Sequence, residues 1–170
     1  MNRDAAIRDA ARAILEEKPG ERDAILKRFD RALDVTGDVA RGEQVFKRVC
    51  EKCHRMNGAG ADVGPDLGTV RNRPASLLLA DILLPSRSIA AGYEAYVVER
   101  ISGGIETGVL HAQSPEAIVL RREEGKETII PRQDIKEMSL LTLSLMPADL
   151  AAQLDPQQMA DLLAFIRGGR

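Results

Sequence analysis

The feature that most constrains this chain is one short run, Cys50, Cys53 and His54, which forms a Cys-x-x-Cys-His sequence. These are the only two cysteines of the chain, and His54 is one of its two histidines. Two thiols at this spacing can form thioether bonds with the two vinyl groups of a haem. The histidine that follows then lies beneath the iron, where an imidazole nitrogen is a strong ligand. The run therefore predicts one covalently bound haem c with His54 as an axial ligand.

Composition argues against several other classes of function. The 170 residues carry a formal net charge of −2, so no global field attracts nucleic acid or an anionic membrane. Aromatic residues make up 3% of the chain and Trp is absent, which leaves few platforms on which bases could stack. The most apolar stretch, Leu77 to Leu84, is too short to span a bilayer. We therefore expect no nucleic-acid partner and no membrane span in this chain.

The expected location is extracytoplasmic. Residues 2–18 are charged and amphipathic, without the apolar stretch that a secretory signal needs. Thioether attachment of haem nevertheless takes place, as a rule, outside the cytoplasm. We therefore expect a periplasmic protein and a sequence that is a piece of a longer chain.

Apolar residues at helical spacing predict a mainly helical chain. Residues 3–34 show this spacing on both sides of a Pro19-Gly20 break, which predicts a helical hairpin and an N-terminal unit of residues 1–36. The spacing recurs in three later segments: a helix capped near Asp38 with Gly42 to Cys53 on one stripe, a short buried helix in Pro74 to Leu84, and a last helix with Asp155 as cap and Pro156 at its first position.

The period changes between residues 91 and 140. Short segments rich in β-branched residues alternate there with turns at Gly103-Gly104 and Glu124-Gly125. This pattern predicts short antiparallel strands within Tyr96–Ile101, Thr107–Leu110, Ala117–Leu120 and Thr128–Ile130. We expect a β insert between the helical parts.

Further segments resemble successive parts of a class I cytochrome c. They are Gly42 to Phe46, Gly64-Pro65-Asp66-Leu67, Ser144-Leu145-Met146-Pro147 and Ala160 to Ile166. A cytochrome c interrupted by a small barrel-like segment is most similar to the planctomycete-type putative haem-binding domain. The resemblance covers residues 37–170 and implies a mainly α cytochrome c fold with a barrel-like antiparallel insert. In that fold the first and last helices cross, and small Gly42 would let Phe46 and Phe165 approach each other.

The resemblance also implies roles for single residues. Cys50 and Cys53 would be the thioether anchors and His54 the proximal ligand. The Pro65 carbonyl would accept the proton of the imidazole Nδ1, which orients the ring and increases its basicity as a ligand. Leu67 of the same segment is expected beside the haem.

The second axial ligand is expected to be Met146. Met56 is tethered to the proximal side because it lies two residues after His54, and Met159 falls on the apolar stripe of the last helix. Met138 at the end of the insert and His111 remain alternatives, since thioether and imidazole are the usual distal ligands.

Charged residues near the site have two interpretations each. Arg71 and Arg73 could pair with a haem propionate or lie in a solvated loop, and Tyr93 or Tyr96 is a weaker candidate for the same role. Four cations could form a positive rim that steers an acidic redox partner, or they could form an ordinary solvated helix face: Lys47, Arg48, Lys52 and Arg55.

Several functions compete with each other at this stage. With a filled sixth coordination site the domain would transfer single electrons and would be no enzyme by itself, and the resemblance implies a module of a larger dehydrogenase-like protein. An open site would favour a peroxidase or gas sensor, and the β insert could instead serve as a haem-stabilised interaction module. Structural zinc would need about four ligands, and a thioredoxin-like dithiol would follow a strand, so both are disfavoured.

Overall fold

The computed structural model describes residues 19–169, and five α-helices make up its helical part. The first arm of the predicted N-terminal hairpin, in residues 3–18, lies outside the described residues. Short 3-10 turns occupy Asp30–Leu33, Leu67–Val70, Glu123–Gly125 and Arg132–Asp134. The α-helices are α1 (Pro19–Phe29), α2 (Val39–Val49), α3 (Ala75–Leu83), α4 (Leu150–Gln153) and α5 (Pro156–Gly168).

Helices α2 and α5 cross at close range. A Cβ atom at Gly42 would lie 1.9 Å from the carbonyl oxygen of Asp161, so only glycine fits at the crossing. The rings of Phe46 and Phe165 pack beside it, with centroids 5.5 Å apart and an angle of 44° between the ring planes. The predicted approach of these two rings across Gly42 is therefore confirmed.

A buried carboxylate fastens the same crossing, and sequence analysis did not identify it. Asp161 of α5 has a side chain that is 3% exposed. It accepts hydrogen bonds from the backbone N–H of Asp38 (2.7 Å), from Nε of Arg41 (2.7 Å) and from Nε2 of Gln157 (3.0 Å). The hydrogen bond from Arg41 is the main cause that lowers the pKa of Asp161 to about 2, although burial acts in the opposite direction.

The capping residues predicted for both helices are confirmed. The Asp38 side chain accepts the N–H of Arg41 at the start of α2. Asp155 and Gln158 form a reciprocal capping box at the start of α5, with Pro156 at the first helical position. These local signals fix where the two crossing helices begin.

One hydrophobic core joins the helices around the Cys-x-x-Cys-His run. It contains side chains from α1 to α5, and the run itself contributes Cys50. Among its fully buried members are Phe29, Phe46, Met56, Leu83, Met159, Leu162 and Ile166. Within residues 19–169, no helix is both long and apolar enough to cross a membrane.

The predicted β insert is an antiparallel sheet with its own core. Two short paired strands precede it, β1 (Arg55–Met56) and β2 (Ala59–Gly60). The strands of the insert are β3 (Ala95–Arg100), β4 (Ile105–Gln113), β5 (Ala117–Arg122), β6 (Lys126–Pro131) and β7 (Ile135–Leu140). Their order is β6-β5-β4-β3-β7, so the last strand returns to pair with the first. Val98, Ile118, Leu120 and Ile130 form the buried centre, against which side chains of β3, β4 and β7 pack.

Two details differ from the expected fold. Strand β7 was not predicted, because its partly buried residues Ile135 and Met138 are three positions apart and do not alternate. Within this five-stranded sheet β6 and β7 are the two edges, so barrel closure stays a prediction. Because the described residues contain this sheet and a two-stranded one beside the helices, the mainly α class is not confirmed.

Candidate haem site

The Cys-x-x-Cys-His run forms a tight turn directly after α2. The helix ends at Val49, so Cys50 caps it and Cys53 lies beyond it, whereas the predicted helix extended to Cys53. The N–H groups of Cys53 and His54 both donate to the carbonyl of Cys50, at 3.0 and 2.9 Å. Neither thiol is in a disulfide. The turn therefore presents two free thiols and one imidazole on the same side.

A second segment holds the His54 ring from below. The N–H groups of Val63 and Gly64 donate to the carbonyl of Cys53, at 2.9 and 2.7 Å, which fixes this segment against the turn. Nδ1 of His54 then lies 2.8 Å from the carbonyl oxygen of Pro65. Because a carbonyl can only accept, Nδ1 carries the proton and Nε2 keeps a free lone pair.

Gly64 is required for this arrangement. A Cβ atom there would lie 2.4 Å from Cε1 of His54, which is closer than any carbon contact permits. Burial lowers the pKa of His54, and the smaller effect of the hydrogen bond to Pro65 acts in the opposite direction. The ring is therefore a neutral imidazole, which is the form that binds a metal.

The thiols and the imidazole open into one cleft of about 770 Å³. This volume lies in the range of about 300–1,000 Å³ that is typical of ligand and cofactor pockets. The helical part contributes most of the apolar lining, including Leu67, Val70, Leu78, Ile82, Ile89, Leu145 and Ile166. Free thiols, a neutral imidazole and an apolar wall on one cleft fit a flat, covalently attached haem.

The electrostatics of the thiols differ from those of a redox-active dithiol. Burial is the main cause that raises the pKa of Cys50 to about 12, and the charge of the neighbouring Cys53 acts in the same direction. Burial also raises the pKa of Cys53, and the charge of Glu123 adds to this effect. Reactive dithiols have a lowered thiol pKa, so the structure disfavours the thioredoxin-like interpretation.

Of the five side chains considered as second axial ligand, only Met146 lines this cleft. Met56 and Met159 are buried in the helical core, at 1% and 0% exposure. Met138 packs against the core of the β insert, and His111 lies on the insert in contact with Arg121. Met146 lies in a loop. In the same loop the N–H of Ser144 donates to the hydroxyl of Ser86 (3.1 Å).

The other predicted site residues are divided between the cleft and its surroundings. Pro65, Leu67, Arg73 and Tyr93 line the cleft, whereas Arg71 and Tyr96 do not. Arg73 pairs with Asp81 (2.8 Å), another lining residue. Arg71 contacts Asn57, and its buried Nε has no hydrogen-bond partner among residues 19–169. Among the cations of the expected rim, Lys47 is already paired with Glu43.

Sequence analysis missed the contribution of the β insert to this cleft. Thr107 and Val109 of β4, Arg122 of β5 and Glu123 of the following turn form part of its lining. No local pattern marks these residues, because they reach the site only through the packing of the insert on the helical part. Among residues 19–169, no group of three or more His, Cys, Asp and Glu side chains is arranged to hold a metal ion.

Comparison with known proteins agrees with the geometry. Residues 39–113 match the family model described as cytochrome c, which covers α2, the Cys-x-x-Cys-His turn, the Pro65 segment and α3. The match ends with β4, so Met146 and α5 lie outside it. None of the curated proteins matches the chain significantly. The family match agrees with the thiols, the imidazole and the cleft, and residues 39–113 are therefore similar to a cytochrome c domain.

Proposed function

We propose that this chain is a mono-haem c-type cytochrome domain that transfers single electrons, with His54 and Met146 as the axial ligands. The observation that carries the proposal is that Met146 shares one cleft with Cys50, Cys53 and His54. Haem supplies the iron, whose oxidation state changes by one electron. With both axial positions filled by protein atoms, no site remains for a substrate, so the domain would not be an enzyme by itself.

Each of these residues of the cleft would have its own role. Cys50 and Cys53 would hold the porphyrin by two thioether bonds, and the free Nε2 of His54 would bind the iron. The Pro65 carbonyl fixes the tautomer and the orientation of that ring. The thioether of Met146 favours the ferrous state and would raise the reduction potential.

The context of the domain is part of the same proposal. The inserted β sheet supports the resemblance to the planctomycete-type haem-binding domain, in which such a unit often ends a larger dehydrogenase-like protein. The electron donor would then be an adjoining dehydrogenase domain or a separate redox protein. Cytochrome c domains are usually extracytoplasmic, which supports a periplasmic location.

Haem attachment is tested first. The protein is produced behind a secretory leader in a cell competent for cytochrome c maturation, and its pyridine haemochrome spectrum and intact mass are measured. We expect the spectrum of a doubly thioether-linked haem and the mass of the chain plus one haem. A colourless product with the mass of the polypeptide alone would overturn the proposal.

The axial ligand is tested by Met146→Ala, with Met138→Ala as the matched control outside the cleft. We expect Met146→Ala to convert the ferric absorption spectrum towards high spin and to lower the reduction potential. Met138→Ala should leave both unchanged, because its side chain packs in the insert. If the wild-type ferric protein is already high spin and Met146→Ala changes neither property, the iron has an open site, and a peroxidase or gas sensor becomes the better interpretation.

A further inference from the structure

The β insert forms a wall of the cleft on the side of the cysteines. Four residues of its strands β4 and β5 and of the turn after β5 line the cleft: Thr107, Val109, Arg122 and Glu123. The charge of Glu123 reaches the thiol of Cys53. The insert therefore lies close to the edge at which the porphyrin would be attached.

Two sets of hydrogen bonds join the insert to the segments that carry the haem-binding residues. The N–H of Glu124 donates to the carbonyl of Lys52 (2.7 Å), and Lys52 lies between the two cysteines. Nη1 of Arg121 donates to the carbonyl (2.7 Å) and to the carboxylate (2.8 Å) of Asp62. Both acceptors lie in the part of the chain that binds haem, and both donors lie at the same end of the insert.

Arg121 is held firmly in this position. Its side chain is 14% exposed, and its guanidinium also donates to the carboxylate of Glu127 (2.8 Å) and contacts Nε2 of His111. Two carboxylates around this largely covered guanidinium offset much of the cost of removing its charge from water. The fork therefore presents Nη1 to Asp62 in one fixed geometry.

The contact at Asp62 continues to the His54 ring through the backbone. The next two residues, Val63 and Gly64, donate their N–H groups to the carbonyl of Cys53. Pro65 follows at once, and its carbonyl accepts the Nδ1 proton of His54. A shift of Asp62 would therefore move the acceptor that orients the proximal ligand.

We propose that the β insert is a wall of the haem site and that Arg121, through Asp62, is a positioning residue for His54. This inference rests on the proposed function. The insert keeps water from the cysteine edge of the haem, and a less hydrated haem has a higher reduction potential. Arg121 keeps the insert in place and the Pro65 carbonyl under the imidazole.

The test compares Arg121→Gln with Arg132→Gln in the intact holoprotein. Arg132 is a matched control because its side chain also bridges parts of the insert, donating to the Ser114 carbonyl (2.8 Å) and to the side chain of Gln113 (3.0 Å), but does not reach the haem-binding segments. Haem content, thermal stability, reduction potential and the rate of reduction by ascorbate are measured for both variants and for wild type.

We expect Arg121→Gln to accelerate reduction by ascorbate severalfold, because the cysteine edge of the haem becomes more accessible. We also expect it to shift the reduction potential, which hydration of the haem lowers and displacement of the Pro65 carbonyl raises. Arg132→Gln should leave both at their wild-type values. Asp62→Asn, at a residue whose side chain is half exposed, should change both in the same direction and by less, because the backbone carbonyl remains as an acceptor. A potential and a reduction rate of Arg121→Gln equal to those of Arg132→Gln would overturn the inference. Absence of haem from wild type would instead overturn the proposed function.

Discussion

Replacing Asp161 with asparagine tests whether one buried charge stabilises the crossing of α2 and α5. Asparagine has nearly the same shape but no charge, so the change removes the ion pair with Arg41 and leaves the packing in place. The Asp161 carboxylate accepts four hydrogen bonds, of which two come from Arg41. The Asp161 side chain is 3% exposed, whereas the Arg41 side chain is 61% exposed. Asp161 is therefore the buried partner of this ion pair.

The magnitude follows from the pKa of Asp161. The folded protein holds this pKa at about 2, whereas an aspartate in an unfolded chain has a pKa of about 3.9. Each pH unit between them corresponds to about 1.4 kcal/mol, so the charged form contributes about 2 to 3 kcal/mol to the free energy of unfolding at neutral pH. Because the folded pKa is the lower one, this contribution is complete above about pH 5 and disappears as the pH falls towards 2.

Urea unfolding of the wild-type and Asp161→Asn holoproteins, followed by far-UV circular dichroism at a series of pH values, measures this difference. We expect Asp161→Asn to lower the free energy of unfolding by about 2 to 3 kcal/mol at pH 7, and the difference to shrink steadily in acid. Acid effects on the haem site are common to both proteins and cancel in the comparison.

Glu43→Gln is the control for a surface charge. Glu43 pairs with Lys47 on the exposed side of α2, and such a pair contributes less than about 1 kcal/mol. The reasoning fails if Asp161→Asn has the stability of wild type at pH 7. It also fails if the loss is the same at every pH, since packing rather than charge would then be its cause.

Two glycine substitutions test the close approaches at the helix crossing and at the His54 ring. Gly42→Ala places a methyl group against the backbone of α5, and calorimetry should show a loss of about 3 kcal/mol in the free energy of unfolding. The control is Gly20→Ala, where a Cβ meets no atom of the described residues within 4 Å, and it should change stability by less than about 1 kcal/mol; equal effects would contradict the crossing geometry. Gly64→Ala displaces the His54 ring from the Pro65 carbonyl, and because the Nδ1 hydrogen bond makes the imidazole a more basic ligand, voltammetry should show a raised reduction potential; an unchanged potential would count against the role of Pro65.

Local signals in the sequence were sufficient to predict the helix start before the Cys-x-x-Cys-His run and most of the secondary structure. The Cys-x-x-Cys-His run, the caps of α2 and α5, and the turns of the insert depend on residues a few positions apart, so their patterns are visible along the chain. The small size of Gly42 also predicted the close approach of Phe46 and Phe165, because a known pairing of the first and last helices supplied the missing long-range contact.

The features that the sequence did not predict depend on partners far apart in the chain. Asp161 interrupts an apolar stretch of α5 and gives no sign of burial, because its main partner, Arg41, lies 120 residues away. Arg121 sits on a strand with an ordinary alternating pattern, and its contact with Asp62 spans 59 residues. In both cases one charged side chain joins two segments only after each has folded, so the residue type and its neighbours in sequence are the same as for a solvated surface charge. Such structural charges can therefore be identified only from the tertiary packing. Asp161 joins the two crossing helices, and Arg121 joins the β insert to the segment that precedes Pro65.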